Sequence, residues 1–284
     1  DKEMINGENG KMLRNDPYEI RQLKEMGIKA ILLRCAGYNN VDVQAAHACG
    51  IPVLRVPSYS PEAVAEFAAA LLLTVNRYTH RAYTRTRDFN MNINGFMGMD
   101  LYDKTAGVIG TGRIGQAMIR ILKGFGMHIT AYDPYPVKGL DVEYDTLENV
   151  FARSDVLTLH CPLTSETKHI VQAKTIEMMK DGVYLVNTSR GDLIRTQDLI
   201  DGLLAKKFGG VGLDVYDEEG GVFYEDCSND IMEDSNLARL TTFPNVLVTS
   251  HMGFFTREAV EAIADVTLRN ADAVRKQEKL DNAV

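Results

Sequence analysis

Three apolar runs in the second half of the chain end on residues that could do chemistry together. Asn187-Thr188-Ser189-Arg190-Gly191 follows the first, Asp214-Val215-Tyr216-Asp217-Glu218-Glu219 the second, and Ser250-His251 the third. A guanidinium grips a carboxylate through two parallel hydrogen bonds, a histidine moves a proton near neutral pH, and a carboxylate beside that histidine orients it and keeps it charged. Each residue taken singly has a plainer reading: Arg190 as a surface arginine, the acids of 217–219 as a solvated loop, His251 as a structural histidine. Delivery to one sheet edge is what would join them.

A second group of residues supplies a reason for that edge. Gly110-Thr111-Gly112-Arg113-Ile114-Gly115 stands between an apolar run, Ala106-Gly107-Val108-Ile109, and a helix whose Ile114, Met118, Ile121, Leu122 and Phe125 fall on one face. Gly110 allows a tight turn, Gly112 lets backbone approach a phosphate, and Gly115 lets helix pack closely on strand, while the helix N-terminus offers N–H groups and partial positive charge. The motif alone is weak, because glycines also mark ordinary turns. The next run of residues strengthens it: His128-Ile129-Thr130-Ala131-Tyr132 reads as the next strand and ends at Asp133, 23 residues after Gly110. An acid about 20 residues on binds a ribose hydroxyl and repels a 2′-phosphate, which favours NAD over NADP. Asp133 alone would also serve as a turn carboxylate before Pro134. His160 beside Cys161 suggests a metal or thiol site, but no ligand set with metal spacing accompanies them, so no metal is expected.

These groups need an α/β frame, and the chain has one. With 284 residues it has length for one large or two ordinary domains and an ample core. A formal net charge of -8 argues against nucleic acid or an anionic membrane as the main partner. The longest apolar helix, Ala63 to Val75, contains Glu66 and is too short to span a bilayer, and Asp1-Lys2-Glu3-Met4 does not resemble a signal peptide. Cys35, Cys49, Cys161 and Cys227 are widely spaced and read as thiols in a reducing compartment, which points to the cytoplasm.

Strands alternate with helices along the chain, the pattern of parallel βαβ units. Ala30–Arg34 and Pro52–Val56 bracket a short helix from Asp42 to Cys49; Ser60 then caps a long helix with Pro61 at its first position. After Asp133 the expected strands are Val156–His160, Val183–Asn187, Gly210–Leu213 and Val246–Ser250, so that six strands from 106 to 250 fill one doubly wound sheet. Asp1 to Asn15 shows no strand pattern, and the first domain is expected to lack its own N-terminal strands in this chain. The fold expectation is two Rossmann-like doubly wound domains: 1–59 with 253–284, the substrate domain, and 60–252, the NAD-binding domain, with a terminal helix from Thr256 crossing back to the first.

In its motifs the chain resembles the D-2-hydroxyacid dehydrogenase family, and within it is most similar to the bacterial fermentative D-lactate dehydrogenases. The resemblance runs over essentially the whole chain. It is carried by Leu33-Arg34-Cys35-Ala36-Gly37-Tyr38-Asn39-Asn40-Val41-Asp42, by Val56-Pro57-Ser58-Tyr59-Ser60-Pro61-Glu62-Ala63, by the glycine motif and by His160-Cys161-Pro162-Leu163-Thr164. Val186-Asn187-Thr188-Ser189-Arg190-Gly191 and Leu213-Asp214-Val215-Tyr216 complete it.

It implies a catalytic Arg190, a catalytic His251, and as their acid Glu219 rather than Glu218. It implies cofactor contacts at Gly110, Gly112, Arg113, Ile114, Asp133, the His160-Cys161-Pro162 turn, Thr188 and Asp214, the last facing the nicotinamide carboxamide. Ala36-Gly37-Tyr38 matches the segment whose backbone N–H groups hold the substrate carboxylate, and Tyr59 an aromatic residue beside it. The implied activity is hydride transfer between NADH and a 2-oxo acid, pyruvate giving D-lactate, with closure of two domains excluding water. Larger 2-oxo acids and a non-enzymatic NAD(H)-sensing scaffold are the alternatives; an amino-acid or formate dehydrogenase fits the residues less well. The alanine- and leucine-rich helix from Pro61 suggests a subunit interface or a core helix, and the resemblance tips the reading to a homodimer. The chain departs from the family pattern at Met252-Gly253-Phe254, where a polar residue and a small one are expected before the aromatic.

Overall fold

The computed structural model describes residues 4–5, 17–38, 41–220 and 222–284. The chain folds as two compact units, one formed by Asp1–Ser60, Gly220–Glu225 and Phe254–Val284, the other by Pro61–Glu219 and Asp226–Gly253.

In the first unit β1 (Met4–Ile5), β2 (Ala30–Leu32) and β3 (Val53–Leu54) form a parallel sheet in the order β1-β2-β3. The N-terminal segment expected to hold no strand therefore supplies one. A two-residue strand is too short to show alternation, and its pairing with Ala30 and Ile31 is a backbone matter. β2 and β3 are shorter than expected because the chain turns to other partners at their ends: Arg55 N donates to Asn282 O and Val56 N to Cys35 O. Successive residues of β2 face opposite sides. Ile31 joins Ile20, Leu23, Ile28, Ile51 and Val53 in one core, while Ala30, Leu32 and Leu54 pack with Ala271, Val274 and Leu280 of the C-terminal segment. The helix Arg257–Lys276, capped by the Thr256 side chain on Ala259 N, belongs to this unit.

Among the described residues the second unit carries a seven-stranded parallel sheet. Its strands are β4 (Thr105–Ile109), β5 (His128–Tyr132), β6 (Glu143–Tyr144), β7 (Val156–Leu159), β8 (Val183–Asn187), β9 (Phe208–Leu213) and β10 (Val246–Val248). The order is β10-β9-β8-β7-β4-β5-β6, so the chain reverses direction across the sheet at β4, with β5 on one side and β7 on the other. Ligands of such sheets bind outside the carboxyl ends at that reversal. The sequence pattern predicts six strands; β6 is the seventh, a two-residue edge with no apolar run. His160 and Ser250, expected inside strands, lie beyond the ends of β7 and β10.

The central strands are buried along nearly their whole length, as parallel strands covered on both faces must be. The helix Pro61–Arg77 buries Ala65, Ala68, Leu72 and Val75, and its approach is close enough that a Cβ on Gly212 would lie 3.0 Å from Leu71 Cβ. The helix Arg113–Gly124 buries Met118 and Leu122 of the expected face together with Gly115, Ala117 and Ile119; Ile114, Ile121 and Phe125 flank them half-buried. Each large apolar side chain buried here contributes about 1.5–3 kcal/mol of transfer free energy. That burial holds the β4 turn and its helix as one rigid piece.

Candidate active site

The turn after β4 is built by its glycines. Gly110 has φ +94°, and a Cβ there would lie 2.5 Å from Cys161 N and 2.7 Å from the His160 carbonyl carbon. A Cβ on Gly115 would collide with Gly110 O. At Gly112, the N-cap of Arg113–Gly124, nothing lies within 4 Å of the Cβ position, and no side chain caps the helix. Open space thus faces a helix N-terminus, as an anion requires. Arg113 is exposed beside it and Ile114 half-buried.

Asp133, at the end of β5, is bonded within the protein. Its Oδ2 accepts from Thr111 N at 2.7 Å and Thr111 Oγ1 at 3.0 Å, and its Oδ1 from Tyr135 N at 2.9 Å. Tyr144 OH donates to Thr111 Oγ1 at 3.0 Å. The carboxylate therefore ties the glycine turn to the next strand, a role for Thr111 and Tyr144 that glycine spacing does not reveal.

His160 and Cys161 close the other side of the cradle, followed by Pro162. Desolvation holds the His160 imidazole down to about 4, so it stays neutral at working pH, and its Nε2 meets Thr158 Oγ1 at 2.8 Å. Burial pushes the Cys161 thiol up to about 11, which keeps it protonated and a poor nucleophile. Among the described residues no group of three or more His, Cys, Asp or Glu side chains is placed to hold a metal ion.

Beyond β9 and β10 two of the ionisable residues meet. His251 Nδ1 lies 2.9 Å from Glu219 Oε2, and Glu219 Oε1 accepts from Tyr216 N at 3.0 Å, so both carboxylate oxygens are fixed. Of the acids 217–219, Glu219 is the one that reaches the histidine. His251 has a left-handed backbone, φ +54°, and its N–H donates to Asp214 O at 2.7 Å. Asp214 is buried, and its carboxylate accepts from Thr249 Oγ1 at 2.6 Å, Met252 N at 3.0 Å and Gly253 N at 2.7 Å. Beside any part toward a carboxamide, Asp214 thus holds the turn that presents His251. Arg190 follows β8 in extended conformation, with its Nη1 donating to Ser189 O at 2.6 Å. A Cβ on Gly191 would run into the backbone of Tyr216, so only glycine lets this turn pack against the segment that carries Glu219.

In the first unit, the Ala36-Gly37-Tyr38 segment is braced by Arg55, whose Nη1 donates to Ala36 O at 2.8 Å and whose guanidinium lies 5.2 Å from the Tyr38 ring centre. Tyr59 meets Phe254 edge to face, with ring centres 6.1 Å apart. The bracing arginine carried no sequence signal.

Residues 69–253 match the family described as D-isomer specific 2-hydroxyacid dehydrogenase, NAD binding domain. D-lactate dehydrogenase of Escherichia coli K12 is 51% identical over 266 residues, which cover 93% of this chain and 81% of that protein. The chain belongs to the D-2-hydroxyacid dehydrogenase family. The apo structure of the Escherichia coli enzyme superposes with a TM-score of 0.86 at 45% identity, covering 99% of this chain and 84% of the other. A D-lactate dehydrogenase from Aquifex aeolicus, complexed with NAD and lactic acid, gives a TM-score of 0.84 at 32% identity, covering 93% of this chain and 82% of that one.

This D-2-hydroxyacid dehydrogenase uses NAD, and its own residues fit that group. The cradle over Gly112 is open, Asp133 stands at the strand end where a carboxylate that bonds a ribose hydroxyl belongs, and Thr188 Oγ1 is buried without a partner among the described residues. The departure at Met252 leaves the turn intact, because its backbone N–H, not a side chain, bonds Asp214. A Cβ at Gly253 would lie 2.9 Å from Asp214 Oδ2, so glycine suits the position. No helix among the described residues is long and apolar enough to cross a membrane.

The carboxylate of Asp133 sets an expectation for cofactor choice. The protein should prefer NADH to NADPH strongly in kcat/KM, and Asp133→Ser should narrow the gap by about tenfold, or about 1.4 kcal/mol, by removing repulsion toward the 2′-phosphate. Equal use of both cofactors by the unmodified protein would remove Asp133 from that role.

Proposed function

We infer that the chain is an NAD-dependent D-lactate dehydrogenase, interconverting pyruvate and D-lactate. The observation that carries the reading is the Glu219–His251 pair, held beyond the carboxyl ends of a sheet whose β4 turn is a phosphate cradle. Its kinship to D-lactate dehydrogenases supports the substrate.

The cofactor, when bound, supplies the hydride for the carbonyl carbon. Every other part falls to the chain. His251, with Nδ1 on Glu219, presents Nε2 to give its proton to the oxygen of the forming alkoxide. Glu219 keeps the ring fixed, since its own carboxylate is pinned by Tyr216 N. Arg190 takes the substrate carboxylate and polarises the carbonyl. Gly110, Gly112, Arg113, Ile114, Gly115, Asp133, His160, Cys161, Pro162, Thr188 and Asp214 hold and orient the dinucleotide. The proton from His251 and the hydride together turn the 2-oxo acid into the 2-hydroxy acid.

Two finer points belong to the same proposal. The protein works as a homodimer, a reading supported by the exposed apolar side chains Phe89, Met91, Ile93 and Met97, which a second copy would cover. The helix from Pro61 does not itself argue for this, since its apolar face packs within the unit. The cytoplasm is the compartment that suits its widely spaced cysteines.

The test is NADH oxidation on adding pyruvate, with chiral analysis of the product. D-lactate is expected. No oxidation with any 2-oxo acid would favour a sensing scaffold, and phenyllactate formed far faster than lactate would change the substrate alone.

A further inference from the structure

β8 ends on Asn187, which is fully buried at the start of the turn that carries Arg190. Its Oδ1 accepts from Ser189 N at 3.0 Å, and its Nδ2 donates to Arg190 O at 2.8 Å. The two partners settle which end of the amide is which, one being a donor and the other an acceptor. A single carboxamide thus spans the turn from the strand end to the residue whose side chain meets the substrate. Two other contacts hold the same turn from outside: Ser189 Oγ donates to Cys161 O at 2.7 Å, and Gly191 packs against the Tyr216 backbone.

The sheet does not need this side chain. Asn187 pairs with Leu159 and Leu213 through its backbone, and its carbonyl accepts from Asp214 N at 2.9 Å. Neither a carboxylate nor an apolar side chain would serve. A carboxylate could accept from Ser189 N but could not donate to Arg190 O, and an apolar side chain would leave both groups without their partner.

We propose that Asn187 is a positioning residue: its carboxamide, bonded to Ser189 N and Arg190 O, sets where the Arg190 guanidinium meets the carboxylate of the 2-oxo acid. The proposal rests on the function inferred above. Catalysis by a clamped substrate is sensitive to placement, an error of 1 Å costing up to about a hundredfold.

The experiment is a double-mutant cycle on the whole protein, with Asn187→Ala and Asn187→Asp each made alone and in an Arg190→Lys background. Alone, each should raise KM for pyruvate and lower kcat/KM by roughly 10- to 100-fold. In the Arg190→Lys background the same changes should cost about threefold or less, because residues that act through one another are not additive. A merely structural role would give the full loss in both backgrounds. Asn187→Asp keeps the volume and the acceptor for Ser189 N, so it carries the comparison if the alanine variant fails to fold. Full multiplication in the Arg190→Lys background, or parent-like kinetics of both variants, overturns the proposal. If the parent protein itself oxidises no NADH with any 2-oxo acid, the inferred function fails instead.

Discussion

His251→Ala should lower kcat for pyruvate reduction by roughly 10²–10⁴, the range of a positioned general acid, while NADH still binds. The expectation comes from the geometry at Nδ1: with that nitrogen 2.9 Å from Glu219 Oε2, the proton available to substrate is on Nε2, and alanine has none to offer. One complication is conformational. His251 holds a left-handed backbone, φ +54°, which costs a residue with a Cβ of order 1–3 kcal/mol and persists because Asp214 bonds the turn at four points. Alanine removes the ring and keeps that strain. His251→Asn is the better partner variant, since asparagine tolerates the left-handed region and keeps a polar group toward Glu219, yet is no acid. Both should bind NADH like the parent in a fluorescence titration and both should be slow. A loss of less than about tenfold in either variant, with binding preserved, would give the proton transfer to another group.

The same turn shows where reading the residues in order succeeds and where it stops. β4, β5 and β8 are continuous apolar runs between glycines, polar turns and a helix, and their bounds lie within a residue of the sequence expectation. β1 and β6 have two residues each and no period to detect; they exist because a neighbouring strand offers unpaired backbone. The strand expected to reach Ser250 ends at Val248, because Thr249, Met252 and Gly253 are claimed by a carboxylate some 35 residues earlier in the chain. The candidate site divides in the same manner. Arg190, Glu219 and His251 could be named from residue type, strand ends and motif resemblance, since chemistry restricts which side chains can do those jobs. Asn187, Thr111, Thr249 and Arg55 act on partners that only the folded chain brings to them (Ser189 N and Arg190 O, the Asp133 carboxylate, the Asp214 carboxylate and Ala36 O), and any polar residue in sequence looks equally able to do so. Their roles are properties of the fold.

Arg190→Lys should raise KM for pyruvate and lower kcat together, with kcat/KM down by roughly 10²–10³, or about 2.7–4 kcal/mol, the scale of losing one well-placed donor to developing charge. Both residues are cations, so net charge is not what changes. A guanidinium is planar and offers parallel N–H groups, which match the two oxygens of a carboxylate and leave a donor for the adjacent carbonyl; an ammonium is a compact point charge on a flexible stem. In the structure the Arg190 guanidinium donates to Ser189 O, the carbonyl next to its own residue. That bond uses one of the five guanidinium N–H groups, and the Asn187 carboxamide bonds the backbone on both sides of it, at Ser189 N and Arg190 O. The split between parameters is diagnostic. If KM alone rises, Arg190 only binds the carboxylate equally in ground and transition states; if kcat falls as well, it also stabilises charge growing on the carbonyl oxygen. Steady-state kinetics over a range of pyruvate concentrations at saturating NADH reads both numbers, and a lysine variant matching the parent in each within about twofold would take Arg190 out of the reaction.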